Sequence, residues 1–68
     1  MTISGTVRAG VEAGCLVMRD SGTLYLLLDD QDRLKPGDKV TLTGYVDKDV
    51  MSYCMQGKPF RVLTVSKP

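Results

Sequence analysis

Two cysteines, Cys15 and Cys54, are the side chains with the most evident chemistry in this 68-residue sequence. They lie 39 positions apart, and a disulfide across that distance would add about 4 kcal/mol to the free energy of unfolding. If the two cysteines are instead reduced, they would pack as small apolar side chains. A redox or metal role is the third interpretation, but two thiols without histidine or a Cys-x-x-Cys motif do not complete a tetrahedral zinc shell.

The residue composition argues against catalysis. The sequence contains no histidine, which excludes a Ser-His-Asp arrangement and leaves either cysteine without its usual base. Asp29, Asp30 and Asp32 lack the glycine and the distal glutamate of an EF-hand loop, so we interpret them as a solvated turn. We therefore expect a protein that is not an enzyme and that has no metal and no cofactor.

A second set of residues is of the types that bind ligands. We expect Arg19 and Tyr25 to point outward from one hairpin, where a tyrosine stacks a base and an arginine contacts a phosphate. Tyr53, Lys58 and Arg61 would complete this face. The alternative is an ordinary cross-strand surface pair, beside a loop tyrosine and solvated charges. A net charge of +1 weakens the case for a nucleic-acid binder, although a local basic face still steers a ligand.

Alternation of apolar and polar residues predicts the elements that must position these side chains. It indicates strands over residues 3–11, 15–19, 23–28, 39–46 and 60–66, with an irregular loop over 47–58. On the third strand, Tyr25 and Leu27 fall on one side, and the other three leucines fall on the opposite side. Asp20-Ser21-Gly22 predicts a hairpin turn, and Pro36-Gly37 predicts a type II turn.

Five short strands without a helix predict one all-β domain over residues 1–68, closed into a small barrel that protects its edges. The segment Leu34 to Val46 resembles the fourth-strand signature of bacterial OB-fold domains, in which Leu-x-Pro-Gly-Asp precedes an alternating strand ending in Gly-x-Val. More diffusely, the glycine positions and the two cysteines resemble those of small bacterial OB-like domains of unknown function. The resemblance implies an OB-fold-like barrel and no established activity. An SH3-like barrel is the alternative.

The expected OB-fold also predicts where the two cysteines lie relative to each other. In that fold the loops joining strands 1–2 and 4–5 lie on the same side and flank the ligand face. Cys15 follows the first of these loops and Cys54 lies inside the second. We therefore expect the two thiols to lie close together.

Two functional hypotheses follow. The first is a small OB-fold binding module for single-stranded nucleic acid or an oligosaccharide, which rests on analogy between folds. The second is a structural or protein-interaction domain that forms a homo-oligomer through strand edges or the apolar loop containing Met51 and Met55. The sequence shows no signal peptide and no apolar run of about 20 residues, so we expect a cytoplasmic protein without a membrane partner. The alternative is an exported protein whose signal has been removed.

Overall fold

The computed structural model describes residues 1–11, 14–28, 33–50, 54 and 56–67. These residues form five β-strands, as predicted. The strands are β1 (Thr2–Ala9), β2 (Leu16–Asp20), β3 (Thr23–Leu27), β4 (Lys39–Val46) and β5 (Lys58–Ser66). The first strand ends before Gly10, and the last strand begins two residues earlier than the sequence pattern indicates.

The strands close into one barrel in the order β1-β2-β3-β5-β4, with β4 paired back to β1. Pairing is antiparallel except between β3 and β5, which run parallel. The described residues contain no α-helix. The predicted fold class, an all-β barrel of five strands, is therefore confirmed, and the architecture is consistent with a small OB-fold-like or SH3-like barrel.

The first strand changes its pairing partner along its length, and we call this change, at Gly5 to Val7, the bend of β1. Val7 to Ala9 pair with β2, whereas Thr2 to Thr6 pair with β4. Where β1 leaves β2, the Ser4 N–H donates to Oδ2 of Asp20 at 2.9 Å, which satisfies a backbone donor that no longer has a partner on β2.

The turn before β4 is the type II turn that the sequence predicts. Gly37 has φ of +98°, and the Asp38 N–H donates to the Lys35 carbonyl at 3.0 Å. Two further backbone bonds hold the turn against β1. The Val7 N–H donates to the Asp38 carbonyl, and the Gly37 N–H donates to the Val7 carbonyl.

The barrel interior is filled by side chains from all five strands. Its largest members include Ile3, Met18, Leu27, Leu42 and Phe60. The Tyr25 ring lies 5.5 Å from the Phe60 ring in an edge-to-face arrangement at 72°, a geometry that aromatic pairs favour. A second, smaller cluster lies outside the barrel on β2 and β3 and contains Cys15, Val17, Leu26 and Cys54.

The predicted outward orientation of Tyr25 is wrong, because its side chain is only 6% exposed and belongs to the barrel core. Both sides of β3 are apolar, so alternation separates the two sets of residues without showing which set faces inward. The β2–β3 register places Tyr25 opposite Met18, which is fully buried, and Arg19 opposite Leu24. Tyr25 and Arg19 therefore lie on opposite faces of the hairpin.

Candidate functional site

A groove with a volume of about 730 Å³ crosses the outer face of β1, β2 and β3. We call it the first groove. In the strand registers, Arg8 lies opposite Val17 and Arg19 lies opposite Leu24, so alternating outward residues of three adjacent strands form its floor. Its main side chains are those of Thr6, Arg8, Val17, Arg19, Leu24 and Gln56.

Both charged residues that line the described part of the first groove are arginines. Arg8 and Arg19 are exposed, and the described lining residues include no carboxylate. Nη1 of Arg19 donates to the Gly22 carbonyl at 3.3 Å, which holds its guanidinium beside the hairpin turn. Guanidinium groups stay protonated and offer several N–H donors in a fixed plane. The first groove is therefore suited to an anionic group.

The loop between β1 and β2 and the loop between β4 and β5 are tied together at one end of the first groove. Cys15 and Cys54 have Cα atoms 6.0 Å apart, with their sulfur atoms placed as a disulfide. Oε1 of Gln56 accepts a hydrogen bond of 2.9 Å from the Val11 N–H. The expectation that the two thiols lie close together is confirmed, and the two loops share a rim.

The sulfur atoms lie against apolar side chains of the second cluster. Cys15 is 2% exposed and Cys54 is 8% exposed. They pack with Val17 and Leu26, whose side chains project from the outer face of β2 and β3. This cluster anchors the loop that follows β4 onto the outside of the barrel, immediately beside the groove floor.

The structure brings only part of the predicted ligand face together. Arg19 lines the first groove, whereas Tyr25 is in the core and so presents no ring there. Arg61 is not among the residues that line the first groove. Arg61 lies opposite Tyr45 on the β4–β5 pair, and its Nε lies 3.3 Å from Oδ2 of Asp47. Lys58 is exposed at the start of β5 and does not line the first groove either.

Several predictions fall on residues outside the described part of the chain. These residues are Tyr53, the aspartates at 29, 30 and 32, Met51 and Met55. Among the described residues, no group of three or more histidine, cysteine, aspartate or glutamate side chains could hold a metal ion. No helix in the described part of the chain has the length and apolar character needed to cross a bilayer.

Sequence reasoning missed Arg8 and Gln56 as groove residues. Arg8 was detectable, because it belongs to the polar, outward row of β1 with Ser4 and Thr6, and β1 and β2 are consecutive strands. No comparable sequence pattern identifies Gln56 as a groove residue. Its role depends on where the loop after β4 folds, and no local pattern in 47–58 specifies that path.

The fold and the groove together define a small closed β-barrel with a basic candidate ligand face. Comparisons with protein-family models, with curated proteins and with solved structures find no match to this chain.

Replacing Gln56 with alanine is expected to loosen the shared rim without unfolding the barrel. The variant loses one partly exposed hydrogen bond, which corresponds to about 1 kcal/mol in the free energy of unfolding. Amide hydrogen exchange measured by NMR should show faster exchange at Val11, which loses its acceptor. Gln56→Glu, which retains the accepting oxygen, is the matched control. Equal protection of Val11 in the alanine variant and the native protein would contradict this role of Gln56.

Proposed function

We propose that this barrel is a binding module for single-stranded nucleic acid, which lies in the first groove and is held through its phosphates. The observation that carries the proposal is the pair of exposed arginines, Arg8 and Arg19, in a groove whose described lining residues include no carboxylate. OB-fold barrels bind oligonucleotides and oligosaccharides at the corresponding place, on the face of strands 2 and 3 between the loops 1–2 and 4–5.

Phosphate contact, rather than base stacking, follows from the residue types in the first groove. Its described lining residues include no aromatic ring, and Tyr25 is enclosed in the core. Stacking on an aromatic side chain contributes about 1–3 kcal/mol per base in other single-strand binders, a contribution these residues do not supply. Arginine forms two parallel hydrogen bonds with phosphate oxygens. Binding should therefore tolerate many sequences and weaken steeply with salt.

The charge of the first groove also favours nucleic acid over a neutral oligosaccharide. A neutral sugar recruits hydroxyl and amide partners and gains little from two guanidinium groups, whereas a phosphodiester chain carries one negative charge per nucleotide. The net charge of +1 gives little long-range attraction, so the local arginine pair must supply it.

Self-association is the second candidate function, and one observation favours it. Apolar side chains are exposed on and beside the β4–β5 pair, with Leu63 at 63%, Met1 at 59% and Tyr45 at 49% exposure. Every strand of the closed barrel has two hydrogen-bonded neighbours, so a homo-oligomer would form through these side chains and not through a free edge strand. Light scattering on the sample used for the binding experiment tests this candidate function, because self-association would give the molar mass of a defined dimer.

Salt-dependent binding of a labelled oligothymidylate tests the nucleic-acid proposal. Two phosphate contacts predict a slope of about −1.4 in log Kobs against log salt, and Arg8→Ala or Arg19→Ala should each reduce its magnitude by about 0.7. Arg61→Ala, which removes the same charge from the β4–β5 pair, is the control and should leave the slope unchanged. Absence of binding at low salt would refute the proposal. An equal reduction of the salt slope in Arg61→Ala would refute it as well. Salt-independent binding of a neutral oligosaccharide would support the other ligand class.

A further inference from the structure

A second groove of about 390 Å³ lies on the outer face where β1 pairs with β4. Outward hydroxyl side chains and one ammonium group line it, and the Ser4 and Thr41 side-chain oxygens are hydrogen-bonded at 2.9 Å. Lys39 is exposed and lies directly opposite Thr6 in the β1–β4 register. The polar side chains that line this second groove are those of Ser4, Thr6, Lys39, Thr41 and Ser66.

The two grooves meet at the bend of β1. Gly5 and Thr6 are the described residues that line both. A side chain at Gly5 would point inward, where its Cβ would come within 2.7 Å of the Arg19 carbonyl oxygen and 3.2 Å of Cγ of Met18. The glycine thus allows the β1 backbone to lie close to β2. Thr6 is the outward side chain over which a ligand would pass.

Positive charge continues across the bend. The first groove has Arg8 and Arg19, and the second groove has Lys39, with no carboxylate among the described residues that line either one. Two aspartates lie nearby, one hydrogen-bonded to neutral donors and one in an ion pair. Asp20 accepts from the Ser4 N–H and the Ser21 hydroxyl, and Asp38 pairs with Lys67 at 3.4 Å.

We propose that the two grooves form one continuous track for a linear polyanion, in which Lys39 supplies a third phosphate contact beyond the bend. The inference rests on the proposed function of the first groove and extends it in one respect. A short strand fills the first groove alone, whereas a longer strand crosses Thr6 and reaches Lys39. Single-strand sites on OB folds span about 4–16 nucleotides, which accommodates both lengths.

The test compares labelled oligothymidylates of about 4 and about 12 nucleotides, both within that span. The short strand should give a salt slope of about −1.4 and the long strand about −2.1, since each phosphate contact contributes about −0.7. Lys39→Gln should return the slope of the long strand to about −1.4 and leave the short strand unchanged. In NMR titrations, the Lys39 and Thr41 amides should shift with the long strand only.

Lys48→Gln is the matched control, because Lys48 is exposed and lines neither groove. Equal slopes for both lengths, with no effect of Lys39→Gln, would overturn the continuous track and leave the first groove as the binding site. An equal reduction of the long-strand slope in Lys48→Gln would also overturn it, since the slope would then depend on the net charge of the protein and not on the position of Lys39. Failure of both strands to bind would refute the proposed function and the track together.

Discussion

Replacing Gly44 with alanine is expected to destabilise this barrel strongly. The β4–β5 ladder has a register shift between Thr43 and Gly44, and there the two strands approach unusually closely. A Cβ at position 44 would overlap the Arg61 carbonyl oxygen and lie 2.9 Å from Cε1 of the buried Phe60. The overlapping atom is backbone, so no rotamer change relieves it. We expect a loss of more than about 3 kcal/mol, comparable to the whole stability of so small a core.

Urea denaturation followed by far-ultraviolet circular dichroism measures this loss. Gly22→Ala is the control, because Gly22 has φ of +82° but no neighbouring atom within 4 Å of an added Cβ. That variant should lose only the conformational cost of a left-handed residue, about 1–2 kcal/mol. A Gly44→Ala variant that unfolds at the urea concentration of the native protein would show that β4 and β5 do not approach as described.

Reduction of the Cys15–Cys54 bond is expected to produce the second largest effect. The bond closes a loop across 39 residues of sequence separation, so breaking it should lower the free energy of unfolding by about 4 kcal/mol. In a domain of this size such a loss corresponds to a decrease in Tm on the order of 20 °C. Thermal unfolding with and without reductant measures it.

The double variant Cys15→Ala, Cys54→Ala is the control for that experiment, since its Tm should be low and should not respond to reductant. Alkylation of the denatured protein, prepared without reductant, gives an independent result. Two labelled thiols per chain would contradict the bond. The same labelling on protein from its natural source also separates the two locations considered for it, because structural disulfides persist in oxidising compartments and are rare in the cytosol.

Local sequence patterns were sufficient to predict the strands and the turn before β4. Alternation over residues 39–46 specifies β4, because side chains of a strand point alternately to its two sides. Pro36-Gly37 specifies its turn, because proline fixes φ near −65° and glycine readily adopts the positive φ found at Gly37. These properties depend on neighbouring residues only, so they are readable without knowing the fold.

The candidate site was predictable only in part. Arg19 was predicted to point outward from β2, and the structure agrees, since a charged side chain among apolar neighbours favours the solvent-facing side of the strand. The predicted orientation of Tyr25 was wrong because β3 has apolar residues on both faces, so either orientation of the ring is compatible with the alternation. Its burial was decided by β5, which places Phe60 in the core beside it.

The amino-acid sequence by itself determined five strands and their turns, and the expected order of OB-fold loops predicted that Cys15 and Cys54 lie close together. The tertiary structure alone decided which face of β3 is buried and that Gln56, from the loop after β4, lines the first groove. The physical reason is that these features depend on long-range packing. The parallel β3–β5 pairing and the bend of β1 between two partners join residues far apart in the chain, and no local periodicity records which distant strand will lie alongside.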